Sequence, residues 1–277
     1  MTNRVAVIGD IGGHADELRT ELGRLGVDEN GRLPSGLVVI QVGDLIHRGP
    51  KSDRVVAMVD GYLKSHPTQW IQLIGNHETH YLRPPQFKWT EKPSRRTLRT
   101  IRSWWTGAKA HVAVAVQTPA ESFLITHAGV TYSFWRDVLD AAPTAALAAE
   151  RINRLARADD DRIHRCGALL GANSPDLVAG PIWADSALEL IPSWTDKRKP
   201  FSQIHGHTTV VDWRDTRAEE LSSTPGCFHR DFVAKHEIVD LAGGRLIGVD
   251  PGHLSDATQP WSALVLPFAE MPRVSTD

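Results

Sequence analysis

The feature that most constrains this chain is a repeated pattern in which a short apolar run stops at a glycine followed by a polar residue. In the first half the runs are residues 5–8, 37–42 and 70–74, and Gly-Asp or Gly-Asn follows each of them. Such runs predict buried β-strands, and leucine or valine at helical spacing predicts helices between them. Strand, polar turn and helix in alternation predict a parallel sheet, whose ligands collect at the carboxyl ends of the strands.

The second half of the chain predicts strands that pair locally. Residues 111–116 and 123–126 are apolar runs close together, and residues 237–241 and 245–249 flank Ala-Gly-Gly, which is typical of a hairpin. Parallel units followed by hairpins predict two sheets that pack face to face with helices outside. The predicted fold class is therefore α/β, an αββα sandwich of two mixed β-sheets flanked by helices.

Length and composition narrow the class of protein. The chain has 277 residues, which suits one α/β domain over residues 1–270 with a basic helical insert at about 84–109. The formal net charge is -2, so the chain lacks the overall positive charge that would indicate a nucleic-acid polymer or an anionic membrane as partner. The N-terminal apolar run is too short for a signal peptide or a membrane span, which indicates the cytoplasm.

Five of the apolar runs end at side chains that can bind a metal ion. These residues are Asp10, Asp44, Asn76, His127 and His207, each with a glycine close by in the sequence. Carboxylate, amide and imidazole groups suit hard or borderline divalent cations. Two such cations about 3.5–4 Å apart need a bridging carboxylate, and together they orient and acidify a water for in-line attack. The strand ends therefore predict a centre for two metal ions.

The same strand ends form an ordered set of motifs. They are Gly9-Asp10, Gly43-Asp44 with Arg48-Gly49, Gly75-Asn76-His77-Glu78, His127-Ala128-Gly129 and Gly206-His207-Thr208. The set resembles the phosphoprotein phosphatase branch of the calcineurin-like metallophosphoesterases, which includes bacterial serine/threonine phosphatases and bis(5′-nucleosyl)-tetraphosphatases. Each motif alone is weak, but all five occur in order across nearly the whole chain. The resemblance predicts the sandwich fold and a phosphatase activity.

The resemblance implies a role for each matching position. Asp10 would bind the first metal and Asp44 would bridge both, while the second metal would be completed by Asn76, His127 and His207. Arg48 and Asn76 would contact the substrate phosphate, Arg48 as a fork of donors. His77 would protonate the leaving oxygen, which an imidazole can do near neutral pH, and Glu78 would help hold the loop.

The resemblance also implies the cofactor and the kind of partner. Two divalent metal ions are expected, manganese by analogy with the family, although the ligand set also admits iron, zinc or cobalt. The expected reaction is hydrolysis of a phosphomonoester or phosphoanhydride by a water activated between the two cations. A phosphoprotein and a nucleotide polyphosphate are both compatible substrates, since the motifs do not distinguish them.

Two positions depart from the family pattern. The family has a metal-binding histidine two residues after its first aspartate, where this chain has Gly12, and glycine has no side chain to bind a metal. His14 lies two residues later and is the candidate replacement. His47 stands where the family has an aspartate that supports His77. An imidazole cannot act as that anion, so the pKa of His77 is not predicted by the resemblance.

Two other classes of function stay open at this point. Gly12 and His47 are compatible with a degenerate family member that binds a phosphorylated ligand or nucleotide without efficient turnover. A nucleotide-binding regulatory module would use Asp44 to bind a ribose. However, the glycine loop of such a module lacks its third glycine here, and Arg48 follows Asp44 as a phosphatase requires.

Two segments outside the motifs bear on substrate choice. In the basic insert, Arg95, Arg99 and Arg102 would share a helical face, with Trp104 and Trp105 just beyond. The insert is either a cationic flap that holds a polyphosphate or nucleotide, with an indole stacked on a base, or a solvated helix with its tryptophans packed beneath. Residues 213–236 are predicted to form a long irregular loop near the cleft.

Overall fold

The computed structural model describes residues 3–86, 88–168, 178–213, 227–253 and 260–272. The strands in these ranges are β1 (Arg4–Ile8), β2 (Leu37–Gln41), β3 (Trp70–Leu73), β4 (Ala110–His111), β5 (Ala113–Gln117), β6 (Ser122–Thr126), β7 (Ser202–His205), β8 (Cys227–Asp231), β9 (His236–Leu241), β10 (Gly244–Gly248) and β11 (Leu264–Pro267). One sheet has the order β11-β1-β2-β3-β4 and the other β5-β6-β7-β10-β9-β8. In the first sheet β1 to β4 are parallel and β11 is antiparallel.

The helices lie on the outside of the two sheets. They are α1 (Ala15–Arg24), α2 (Ser52–Ser65), α3 (Asn76–Leu82), α4 (Arg95–Thr106), α5 (Ala145–Arg157) and α6 (Ile191–Trp194), with shorter helical turns at Phe134–Val138, Asp161–His164 and Ser186–Leu190. Within the described ranges, none of these helices has both the length and the apolar character needed to cross a membrane.

The buried apolar side chains form three layers, one between the two sheets and one between each sheet and its helices. Val5 and Ile40 of the first sheet pack against Ile125 and Ile204 of the second, and all four are fully buried. Apolar side chains of α1, α2 and α4 cover the outer face of the first sheet, and those of α5 cover the second. Because each sheet buries both faces, its strands read as continuous apolar runs. The predicted αββα sandwich of two mixed sheets is confirmed.

One predicted strand is divided between the two sheets. The prediction of a single strand over residues 111–116 is wrong, because β4 pairs with β3 while β5 pairs with β6. Between them, the side chain of Asn153 on α5 accepts hydrogen bonds from Val112 N at 3.0 Å and Ala113 N at 3.2 Å, and it donates to Ala113 O at 2.8 Å. This amide satisfies the backbone where the chain passes from one sheet to the other.

The segment predicted as a loop over residues 213–236 contains a strand. β8 pairs with β9 as an antiparallel edge, with Cys227 opposite Asp240 and Asp231 opposite His236. The prediction of an irregular loop is therefore wrong over β8, where Phe228 contributes an apolar side chain to the cluster beneath the sheet. Residues 214–226 of the predicted loop lie outside the described residues.

The basic insert contains α4, which packs on α2 and α3. Trp104 is 1% exposed and its Nε1 donates to Oδ1 of Asp60 at 3.0 Å. Arg102 donates from Nε to the carbonyl oxygen of Tyr81 at 3.1 Å. Trp104 therefore fits the packing interpretation of the insert, because its indole is buried against α2 and presents no face to a nucleobase.

A buried lysine gives a stability prediction that is independent of the metal centre. Lys199 is 2% exposed, its Nζ lies 4.1 Å from the centroid of the Trp194 ring, and among the described residues it has no hydrogen-bond partner. Burial lowers the pKa of this amine well below its usual value. We expect Lys199→Met to raise the free energy of unfolding of the metal-free protein by about 1–3 kcal/mol at pH 7, measured by urea unfolding.

The pH dependence of this gain has a defined sign. At pH values between the lowered pKa of Lys199 in the folded protein and its normal pKa in the unfolded chain, this amine binds a proton only in the unfolded state. Wild-type stability therefore rises as pH rises through this range. Methionine has no such titration, and the advantage of Lys199→Met should shrink between pH 7 and pH 10. Lys197→Met, at an exposed position, is the matched control and should change stability little. An advantage that is the same at both pH values would contradict the prediction.

Candidate metal centre

Four of the predicted metal-binding residues meet at one point. A single terminal atom of the Asn76 amide lies 3.0 Å from Nε2 of His127, 3.1 Å from Nδ1 of His207, and 3.0 and 3.2 Å from the two carboxylate oxygens of Asp44. The donor atoms of Asp44, His127 and His207 all lie within 4.8 Å of one another. These residues follow β2, β3, β6 and β7, so both sheets contribute to this point.

The chemistry of this cluster suits a divalent cation. Nδ1 of His127 lies 3.1 Å from the carbonyl oxygen of Val42 and donates its proton there, which leaves the Nε2 lone pair facing inward. Burial lowers the pKa of His127, and burial and the proximity of His127 lower that of His207 well below its usual value, which favours the neutral form of both rings. Two imidazole nitrogens, a carboxylate and an amide that can turn its oxygen inward form the donor set of a borderline cation.

Asp10 lines an adjoining cavity of about 110 Å³ together with Asp44. The residues that line it are Asp10, Gly12, Asp44, Arg48, His77, His207, Asp250, Gly252 and His253. The backbone N–H of His207 donates to both carboxylate oxygens of Asp10, at 3.1 and 3.2 Å. Asp44 belongs both to this cavity and to the cluster around Asn76, which is the position that a bridging ligand requires.

Two glycines make room for carboxylates that follow other strands, one in the same sheet and one in the facing sheet. A β-carbon at Gly75 would lie 2.1 Å from Oδ1 of Asp44, and one at Gly206 would lie 2.1 Å from Oδ1 of Asp10. The backbone of Asp44 has a φ of 54° and that of His207 a φ of 71°, values that residues other than glycine rarely adopt. Strained backbone of this kind concentrates at functional sites, where the surrounding structure enforces it.

Glu78 joins the loop after β2 to the loop after β3. Its carboxylate accepts hydrogen bonds from Asp44 N at 2.9 Å, Leu45 N at 2.8 Å and Gly75 N at 3.0 Å. Burial and the charge of Asp44 raise the pKa of Glu78 to about 7, against the effect of the three N–H donors. The side chain thus holds together the two loops that carry Asp44 and Asn76.

His77 faces Asp44 across the cavity and is oriented by the backbone. Its Nδ1 donates to the carbonyl oxygen of Ile46 at 2.9 Å, and its Nε2 lies 3.5 Å from Oδ2 of Asp44. Burial lowers the pKa of His77, and the charge of Asp44 partly opposes this. The hydrogen bond to Ile46 places the fixed proton on Nδ1 and leaves Nε2 as the atom that can gain or lose one.

His47 does not replace the aspartate that the family carries at this position. Its Nε2 lies 2.7 Å from the hydroxyl of Tyr81, and its ring stacks on Trp89 with centroids 4.4 Å apart. Burial, followed by the proximity of His77, lowers the pKa of His47 to about 3, so the ring is neutral at ordinary pH. The carbonyl oxygen of Ile46 therefore takes over the task of orienting His77.

Two residues beside the site, Trp89 and Tyr81, were not predicted from the sequence. The centroid of the Trp89 indole lies 4.5 Å from the ring of His77, and the guanidinium carbon of Arg48 lies 6.0 Å from the indole centroid. Trp89 belongs to the basic insert, so the part of the insert that reaches the site precedes α4. The closeness of Trp89 in sequence to the motif Gly75-Asn76-His77-Glu78 was the available signal. However, sequence distance alone does not tell which of several tryptophans folds back onto the site.

Asp250 also lines the cavity, and it was not predicted from the sequence as a site residue. It follows an apolar run, as Asp10 and Asp44 do, and this shared pattern was a usable signal. His14, by contrast, does not line the cavity in the described structure. A β-carbon at Gly49 would lie 2.7 Å from its Nε2, and its ring centroid lies 4.6 Å from that of His253.

The similarity of this chain to known proteins agrees with the geometry. Residues 3–210 match the family model of the calcineurin-like phosphoesterases. A zinc-dependent endopolyphosphatase of Saccharomyces cerevisiae is 35% identical over 105 residues, which cover 36% of this chain and only 30% of that relative. The structure of the cold-active protein-tyrosine phosphatase of a psychrophilic Shewanella species matches this chain with a TM-score of 0.53 at 17% identity. The match covers 96% of this chain and 76% of the phosphatase, and it indicates a shared fold. Because the family model spans most of the residues, this chain belongs to the calcineurin-like phosphoesterase family.

Proposed function

We propose that this chain hydrolyses a phosphomonoester or phosphoanhydride with a water activated between two divalent cations. The observation that carries this proposal is the convergence of Asp44, His127 and His207 on the Asn76 amide, beside a cavity that also holds Asp10, Arg48 and His77. Bound metal ions would acidify a water and offset the charge that develops on the phosphoryl oxygens. Membership of the family supports the same class of reaction.

The chain's own residues divide the remaining work. Arg48 is exposed at the mouth of the cavity, where its guanidinium can bind the phosphate through two parallel hydrogen bonds, and the Asn76 amide is the second proposed substrate contact. His77 would hold a proton at Nε2 for the leaving oxygen. The cavity of about 110 Å³ has the volume of roughly four waters, which suits a phosphoryl group while the rest of the substrate lies outside.

The substrate and the metal are proposals at a finer level. The relative named as a zinc-dependent endopolyphosphatase favours a test of inorganic polyphosphate and of zinc. Manganese stays our expected ion, and a phosphoprotein or a nucleotide polyphosphate stays an expected partner. The exposed arginines Arg95, Arg96 and Arg99 on α4 are available to a long anionic substrate that extends beyond the cavity.

Metal content and turnover, measured together, test the proposal. Protein stripped of metal and reloaded with Mn²⁺ or Zn²⁺ should bind two ions per chain and hydrolyse p-nitrophenyl phosphate, and the stripped protein should not. A panel of phosphoserine peptide, diadenosine tetraphosphate and polyphosphate would then rank the substrates. Binding of phosphate ligands without turnover by the fully loaded protein would instead favour the degenerate member, and the proposed reaction would be rejected.

A further inference from the structure

A third buried carboxylate lines the cavity that holds Asp10 and Asp44. Asp250 follows β10 and is 8% exposed, compared with 8% for Asp10 and 5% for Asp44. The three residues come from the ends of three strands in two sheets. Of the residues that line this cavity, Arg48 has the permanent positive charge, so the carboxylates outnumber it three to one.

Backbone contacts within the second sheet and between the two sheets hold Asp250 in place. Val249 N donates to His205 O at 2.8 Å, and a β-carbon at Gly9 would lie 1.8 Å from the carbonyl oxygen of Val249, so the ends of β1 and β10 touch. Gly252 N donates to Oδ1 of Asp250 at 2.8 Å, and no described residue donates a hydrogen bond to Oδ2. Within the described ranges, Oδ2 of Asp250 is therefore left able to accept a further ligand.

The carboxylates that line this cavity carry more negative charge than its arginine can balance. Asp10, Asp44 and Asp250 are all buried and line the same cavity of about 110 Å³, whereas Arg48 is itself exposed. Like charges that crowd one buried cavity repel each other, and a divalent cation between them offsets that repulsion.

His253 lies next to residue 12. A β-carbon at Gly12 would make ordinary van der Waals contact with the β-carbon of His253, at 3.6 Å. His253 is 5% exposed and lines the same cavity, and its Nε2 is buried without a hydrogen-bond partner in the described part of the chain. His253 thus brings an imidazole to the cavity beside the position where the family pattern has a histidine and this chain has Gly12.

We propose that Asp250 and His253 complete the first metal position together with Asp10 and Asp44, in place of the imidazole that Gly12 lacks. This inference rests on the proposed two-metal function and names the ligands that would make it possible in this chain. Both residues belong to the turn after β10, so the second sheet contributes to both metal positions. His14 is the competing candidate, and the structure places its ring behind Gly49.

The proposal gives the two positions different preferences for metal ions. The first position would have three carboxylates and one imidazole, and the second would have Asp44, the Asn76 amide and the imidazoles of His127 and His207. Oxygen-rich sets suit manganese, whereas sets richer in imidazole suit zinc. We therefore expect the first position to prefer Mn²⁺ over Zn²⁺ and the second position to show the reverse order.

Counting bound ions in the intact protein tests this assignment without relying on activity. Equilibrium dialysis against Mn²⁺, followed by mass spectrometry of the metal and electron paramagnetic resonance, should give two coupled ions per wild-type chain. In Asp250→Asn and His253→Gln, we expect one uncoupled ion and at least about a 100-fold weaker affinity at the first position. Asp240→Asn, exposed on β9, and His14→Gln are the matched controls and should keep both ions.

Each outcome decides the assignment. The single ion that remains in the Asp250 and His253 variants shows that the second position, and hence the fold around it, is intact. Two ions of wild-type affinity in either variant, or loss of an ion in His14→Gln, would overturn the assignment. A wild-type protein that binds one ion and still hydrolyses phosphate esters would overturn the assignment and the two-metal mechanism, but not the phosphoesterase activity. A wild-type protein that binds two ions without any turnover would overturn the function but not the assignment.

Discussion

Replacing Asp44 with asparagine should lower kcat for p-nitrophenyl phosphate by about 10³-fold or more, because the replacement would remove the proposed bridging charge, worth several kcal/mol, from both metal positions. The fold should survive, since an asparagine oxygen can still accept the hydrogen bond that His77 N donates to Asp44 Oδ1 at 3.0 Å. Initial rates at saturating Mn²⁺, together with thermal unfolding of the metal-free protein, measure the two effects separately.

Asp16→Asn is the matched control for this prediction. Asp16 is an exposed carboxylate on α1 that pairs with Lys51, away from the cavity, so its loss should leave kcat within about twofold of wild type. An Asp44→Asn protein with activity within about threefold of wild type would refute the site, whatever its metal content.

Replacing His77 with asparagine should have an effect that depends on the leaving group. Hydrolysis of a substrate that releases an alkoxide, such as a phosphoserine peptide, should fall by about 10²–10⁴-fold, because that oxygen needs a proton in the transition state. Hydrolysis of p-nitrophenyl phosphate should fall much less, since p-nitrophenolate leaves without one. The ratio of kcat values for the two substrates, in wild type and variant, is the measurement.

His80→Asn controls for the loss of an imidazole from α3. His80 lies one turn after His77, and it is not among the residues that line the cavity in the described structure. Its replacement should lower both rates by the same small factor. Equal losses for both substrates in His77→Asn would mean that His77 positions other groups and does not transfer a proton.

The candidate site illustrates what strand order makes predictable. Asp10, Asp44 and Asn76 follow parallel strands, and the carboxyl ends of parallel strands share one edge of the sheet, so a local pattern predicts proximity. The tertiary structure brings His127 and His207 to the same point from the second sheet, where the facing of the two sheets sets the distance. The resemblance supplied the expectation that they belong with the first three.

Other parts of the site follow from contacts between distant segments. Trp89 reaches His47 and His77 because the insert folds back over α3, and no periodicity encodes that direction. Asp250 enters the cavity because the end of β10 touches the end of β1 at Gly9. The division of residues 111–116 between two sheets depends on the side chain of Asn153, which lies about forty residues further along the chain.

The sequence by itself determined that buried strands would end in side chains able to bind a metal ion, because apolar runs, glycines and polar residues act through local geometry. It also determined the αββα sandwich, since the order of parallel units and hairpins leaves few ways to bury both faces of two sheets. Only the tertiary structure decided which side chains lie around Gly12, where the family pattern has a histidine. That depends on the packing of Asp250 and His253 across the two sheets, and such packing distances arise from the whole fold and not from spacing along the chain.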